Sequence, residues 1–260
     1  MRTRQLWSWF WVGLGVLYFF LPLLATLIFS LRAQRDALTL TAYQNVINDP
    51  KFASTFLFSL QMALWTIVVG IVLVVPTVYW VQLRVPRARP LIELVTMMPF
   101  VIPAVVLVFG LIRTYAPLFT WPIASRAVLV AGYVVLSLPY MYRSVDTGLR
   151  AIDVRSLTEA AQSLGAGWPT ILLRVILPNL RVALLSGAFL TLAIVIGEYT
   201  MAALLAQPAF GPYMALLGQN RAYEPAALAI MSFALTWTAL GLIQFLGRGG
   251  QGRTELAGTH

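Results

Sequence analysis

Long apolar runs separated by short polar segments set the pattern of this chain. Six such runs occur, at about 6–31, 56–81, 91–111, 126–147, 181–206 and 225–246. Each is close to or above the roughly 20 residues that a helix needs to cross a bilayer. Isolated strands cannot satisfy their backbone groups in lipid, so the pattern predicts an all-α, polytopic chain of six transmembrane helices in one domain, residues 1–260. Pro22 is expected to kink the first run. Pro99 and Pro103 mark the third as a kinked helix or a pore lining, and Pro139 interrupts a short fourth. Trp7, Trp9 and Trp11 suit an interfacial belt. The first run is too long for a secretory signal and lacks a clean small-residue cleavage site, so it reads as a retained span.

The polar segments predict less structure. Residues 32–52 form a loop with a short helix near Ala42 to Ile47, and 112–125 and 207–224 are turns or loops on the same side. The tail from Gly247 to His260 is glycine-rich, polar and expected to be disordered. The exception is 148–180. Ser156 and Glu159 have capping-box spacing, which predicts a helix starting near Leu157. Gly165 and Gly167 can supply the left-handed residue that ends it. Pro169 suits the first turn of a second short helix, and Pro178 breaks or kinks the chain.

Composition sharpens this picture. The chain is 60% hydrophobic and 10% charged, against about 25% charged in soluble domains. The net charge of +9 does not indicate nucleic acid, because the arginines lie between apolar runs and form no patch among aromatics. With both termini inside, twelve Lys and Arg fall in internal segments and six in external ones, which predicts cytoplasmic termini and a cytoplasmic 148–180 loop. There is no Cys, and the one histidine is His260. No Walker-type glycine loop is present, so the chain itself is not expected to hydrolyse ATP. Asp146, Asp153 and Glu159 read as solvated or ion-paired at the surface, Arg143, Arg150 and Arg155 as paired with them or with lipid phosphates, and Glu93 as interfacial beside Arg89.

Glu159 to Pro178 carries the strongest motif, EAAQSLGAGWPTILLRVILP. It resembles the EAA loop of ABC importer permeases: Glu159, Ala160, Ala161, Gly165, Leu177 and Pro178 fall in register, and Val175 stands where that pattern has Ile. The resemblance implies a permease of a binding-protein-dependent importer in the bacterial inner membrane. It implies a coupling helix that docks on a cytoplasmic ATPase dimer, which binds ATP and Mg. It also implies a second permease subunit, identical or related, and a periplasmic or lipid-anchored substrate-binding protein. This chain would then hold no cofactor or metal, and besides its protein partners only membrane lipid. A secondary transporter or membrane enzyme is the competing class, which would require several intramembrane acids or nucleophile-base pairs.

One acid does lie deep in an apolar run. Glu198 is 16 residues past Val182, about 24 Å along a helix. It pairs structurally with Arg113, Arg126 or a neighbouring subunit, or it lines the substrate pathway with Tyr199 and Trp237 as cation–π faces. The Leu138-Pro139-Tyr140 and Gly197-Glu198-Tyr199 segments resemble the spermidine/putrescine branch of the family, whose relatives move ferric iron, thiamine, sulfate, molybdate or aminoethylphosphonate.

Overall fold

A computed structural model describes residues 2–33, 37–116 and 122–248. Parts of the 112–125 turn and most of the tail, including His260, lie outside the described residues. The described chain is all-helical apart from turns and one isolated bridge residue. It begins with α1 (Arg2–Leu31), α2 (Thr41–Ile47), α3 (Pro50–Arg84), a short 3-10 turn (Pro86–Ala88), α4 (Arg89–Val101), α5 (Ala104–Tyr115) and α6 (Pro122–Arg150). After these come α7 (Val154–Ser163), α8 (Trp168–Thr170), a π-helical turn (Ile171–Ile176), α9 (Leu177–Asn179) and α10 (Arg181–Gly197). The last elements are α11 (Thr200–Leu204), α12 (Phe210–Asn220) and α13 (Glu224–Arg248).

Three helices are long and apolar enough to cross a membrane by themselves: Trp7–Leu31, Pro50–Arg84 and Ser125–Arg150. Two bent pairs bring the total to five among the described residues, and α13 occupies the sixth expected run. Prolines act differently in each. α1 continues through Pro22, α3 through Pro76 and α6 through Pro139, so the expected interruption of the fourth run does not occur. The Thr26 hydroxyl donates to the Pro22 carbonyl and that of Thr77 to Leu73, so these groups need no water in lipid. The third run, by contrast, is not one helix but two, bent by 99° at Ile102–Pro103. Pro103 has no N–H to continue the ladder, and Ile102 before it is extended, at φ −88° and ψ 115°.

The fifth run departs most from expectation. α10 ends at Gly197, Glu198 is extended (φ −75°, ψ 126°), and α11 restarts at Thr200. The predicted loop after it holds a full helix, α12, with Pro212 in its first turn.

Two compact units make up the chain. One comprises 1–54 and 213–239, where the Ser30 and Tyr43 hydroxyls share a 2.8 Å hydrogen bond and Tyr213 donates to Asp49 at 3.1 Å. The other comprises 55–212 and 240–260. Its apolar interior has two clusters. One gathers Val78, Tyr79, Val145 and Leu149 around Ile171 and Ile176; the other gathers Leu129, Tyr133 and Val108 around Met201 and Ala202. α6 runs through both, so it joins the 148–180 segment to the Glu198 break.

Candidate functional site

α7 starts earlier than its capping-box spacing suggests. Its N-cap is Asp153, whose carboxylate accepts the Ser156 N–H at 3.1 Å and the Ser156 hydroxyl at 2.7 Å. Asp153 and Ser156 have the same three-residue offset as Ser156 and Glu159, and a carboxylate is the stronger acceptor at a helix start. The Ser156 hydroxyl and N–H hold the Asp153 carboxyl below the usual carboxylate range. Glu159 therefore lies mid-helix and accepts from Arg155, one turn earlier, at 2.9 Å. That contact raises the Arg155 pKa.

The end of α7 follows from Gly165. Its φ of +80° is the left-handed conformation that glycine adopts without strain. The Gly165 N–H donates to the Gln162 carbonyl at 2.9 Å and the Ala166 N–H to Ala161 at 3.0 Å, the paired bonds of a Schellman motif. Gly167, at φ −79°, has no such role. Pro169 sits in the first turn of α8, as its position suggests. Pro178 does not break the chain: the path stays helical to Asn179, and the 79° bend comes at Leu180. Between them, Ile171–Ile176 is wound as π-helix, a form that often marks functional segments.

Burial divides the motif. Val154, Thr158 and Ala161, at helical spacing, face inward. The Thr158 hydroxyl bonds that of Tyr79 at 2.8 Å, and the Trp168 ring lies 4.9 Å from Tyr79 and 5.0 Å from Trp80. Leu177 and Pro178 are half-buried, Leu177 against the same cluster. Glu159, Ala160 and Gly165 face outward. The segment is thus a ledge fixed to the C-terminal ends of α3 and α6, with half of its motif spent on seating it. Sequence reading missed Leu164. It is 89% exposed beside Gly165 at the tip. An apolar residue on an otherwise polar helix end was the available signal.

The second group is only partly assembled. The Glu198 carboxylate accepts the Met201 N–H at 3.0 Å and the Ala202 N–H at 3.3 Å, caps of the restarted helix. The buried phenol of Tyr133 adjoins it. Among the described residues no arginine pairs with Glu198; Arg126 instead lies 5.6 Å from the Phe58 ring centroid. The first alternative, pairing with Arg113 or Arg126, is therefore not seen among the described residues; backbone donors serve the carboxylate instead. Tyr199 beside it is half-exposed. Trp237 belongs to the other unit, where its exposed ring meets Phe20 edge-on at 6.3 Å.

A family model described as "Binding-protein-dependent transport system inner membrane component" matches residues 67–248. The chain is 26% identical over 215 residues to the spermidine/putrescine transport system permease protein PotB of Escherichia coli, covering 75% of this chain and 78% of that one. It is 29% identical over 200 residues to a probable molybdenum ABC transporter permease of Haloferax volcanii, with 75% and 71% covered. A solved bacterial ABC transporter involved in import of the acidic polysaccharide alginate superposes with a TM-score of 0.65 at 13% identity, over 93% of this chain and 96% of that one. An amino acid ABC transporter gives a TM-score of 0.56 at 17% identity, over 79% and 97%. The two structures bear on the fold alone.

Proposed function

Since the chain belongs to the family of binding-protein-dependent transport system inner membrane components, we propose that α7 and α8 dock on its ATPase and that the spans form half of a polyamine pathway. It is a multi-pass permease subunit of an ABC importer. It is a transport subunit, and ATP is hydrolysed by a separate ATPase subunit. Partners of the family include that ATPase and a substrate-binding protein.

The observation that carries the docking reading is the divided face of α7. Its inner side is tied to α3 by the Thr158–Tyr79 hydrogen bond and packs Val154 and Ala161 into the cluster that holds Val145 and Leu149 of α6, while Trp168 of α8 lies against Tyr79 and Trp80, so a push on its outer side reaches α3 and α6. Exposed Leu164 supplies an apolar anchor, exposed Ala160 permits close approach, and Glu159 with Arg155 gives a polar rim. In this reading ATP and Mg stay in a cytoplasmic ATPase dimer, and a second permease, identical or related, completes the pathway. The binding protein, periplasmic or lipid-anchored, delivers substrate from the other side of the inner membrane. Both termini are cytoplasmic.

Gly165→Asp tests the docking. A Cβ there meets nothing within 4 Å, and Asp tolerates positive φ, so the chain itself accommodates it. Co-purification of the ATPase should fall about tenfold or more, a hot-spot-sized loss. Parent-level co-purification excludes this face. Orientation is tested by thiol labelling, free of background because the chain has no Cys. Thr114→Cys should react with an impermeant reagent from outside and Gln162→Cys should not.

The polyamine reading rests on the likeness to PotB and on the two short segments around Pro139 and Glu198. Tyr199 offers an exposed ring to a passing amine, and Glu198 beside it caps the helix that follows. The likeness to the molybdenum permease favours a second reading, the same machinery for an oxyanion; ferric iron, thiamine and aminoethylphosphonate fall under it as well. Calorimetry on the binding protein encoded beside this chain decides. Binding of spermidine or putrescine supports the first reading, and binding of molybdate instead overturns it.

A further inference from the structure

The cluster of charges where α4 meets α6 is absorbed neither by the docking face nor by the Glu198 break. Asp146 is 7% exposed. Its carboxylate takes Arg150 at 2.6 Å and Arg89 at 3.1 Å, and Gln82 donates to it at 3.3 Å. Glu93 takes Arg89 at 3.0 Å and Arg150 at 3.6 Å. Two arginines and two acids thus form a closed, neutral ring that joins the first turns of α4 to the last turns of α6, with Gln82 at the end of α3 bonded to it. Beside it lies a cleft of about 750 Å³ lined by Leu94, Met97, Tyr142 and Arg143 among others. Neutrality argues against an anion site, because Glu93 and Asp146 face the cleft together with Arg143 and Arg150.

Position suggests the ring's role. Arg150 is the last residue of α6, and α7 begins at Val154. Any displacement of α7 reaches Arg150 across three residues. On the other side the ring grips Arg89 and Glu93, in the first two turns of α4, whose far end is the 99° break at Ile102–Pro103. Ridge packing alone lets helices slide. A carboxylate held by two guanidiniums away from water resists sliding, because parting them leaves a buried charge unpaired. The ring is also graded. Its Asp146 side is buried, whereas Glu93 is 44% exposed and makes the longer contact to Arg150.

We propose that Asp146 is a positioning residue for transport: through Arg89 and Arg150 it makes the facing ends of α4 and α6 move as one body, so that displacement of α7 is carried to the Pro103 break. The proposal rests on α7 as the docking element. The two fail separately, since loss of docking removes the ATPase, whereas loss of the joint leaves the ATPase bound.

The test uses the complete transporter in proteoliposomes, with one cysteine at Val101→Cys, where the parent side chain is 82% exposed at the end of α4. Its reaction rate with a thiol reagent is compared without nucleotide and with Mg-ATP plus orthovanadate. On the parent background the rate should change by about threefold or more between the two states, within the range of coupling effects. On the Asp146→Asn background the ATPase should still co-purify and that change should vanish. If Asp146→Asn does not assemble, Glu93→Gln removes only the exposed arm and should halve the change or more. A full nucleotide-dependent change in whichever variant assembles overturns the proposal. So does a parent whose Val101→Cys rate does not respond to nucleotide.

Discussion

The ledge around α7 and the Glu198 break use one device in different settings. In each, a helix stops and restarts within a few residues, and an acid caps the restart: Asp153 for α7 and Glu198 for α11. In each, the restarted helix lies on an apolar cluster crossed by α6. The surroundings differ. Asp153 is exposed, and the helix it starts turns Glu159, Ala160 and Leu164 outward. Glu198 is folded in, and its surroundings close on it. A Cβ on Gly211 would overlap the Glu198 carbonyl, and one on Gly132 would overlap the Met201 side chain. An open cap leaves a face for another protein. A closed cap fixes the shape of the chain's own wall.

The sharpest way to break this contrast is to add one methyl group in each place. At Gly211 that methyl meets backbone that has nowhere to move, so Gly211→Ala should remove most assembled protein from the membrane, or lower the Tm of the purified complex by several degrees. At Gly165 the added methyl meets nothing, and the only cost is positive φ, about 1 kcal/mol. Thermal unfolding of both variants checks the pair. Equal losses would mean that the two breaks are alike, contrary to their packing.

Next in size are substitutions of Glu198 itself. Glu198→Ala leaves the Met201 and Ala202 N–H groups without their acceptor in a low-dielectric setting, at about 1–3 kcal/mol. Glu198→Gln retains an acceptor oxygen and should lose less than half of that. A carboxylate needed chiefly as a cap makes Gln nearly silent in thermal stability and in ATPase co-purification. If Gln nevertheless lowers spermidine uptake at every concentration while assembly stays intact, the charge itself serves the pathway beside Tyr199.

Legibility followed the same division. The ledge could be read because its motif is written in residue identities: Glu159, Ala160, Gly165 and Pro178 at fixed offsets. Its precise start was misplaced because Asp153-x-x-Ser156 and Ser156-x-x-Glu159 offer overlapping caps, and only the fold chooses between them. The membrane runs were legible from hydropathy, but their breaks were not. Pro22, Pro76 and Pro139 stay within helices, whereas Pro103 ends one. The difference is that the residue before Pro103, Ile102, is extended, and a hydropathy window does not report backbone conformation. The Glu198 break carries no proline at all. An acid in an apolar run suggested an arginine partner or a place on the pathway, and the fold adds a use that neither named: it accepts from the chain's own N–H groups. Leu164 escaped because apolar residues attract notice only in groups.

The smallest expected effect lies at the far end of the closed break. α11 ends with Ala206 at φ 51°, the one non-glycine residue at positive φ among those described. The Ala206 N–H donates to Ala203 at 3.1 Å and the Gln207 N–H to Ala202 at 2.8 Å, a helix stop of the kind Gly165 makes in α7. The Gln207 side chain then reaches Ser125 at 3.2 Å, which ties the stop to α6. The ledge has glycine at this geometry and the closed break does not, so the contrast predicts stored strain in one and none in the other. Ala206→Gly relieves a left-handed alanine worth about 1 kcal/mol, and glycine's greater freedom in the unfolded chain offsets part of that. The Tm of the purified complex should rise by a degree or two, with ATPase co-purification unchanged. A fall in Tm would mean that the Gln207 and Ala202 contacts already hold Ala206 without strain, and that the two stops differ in kind.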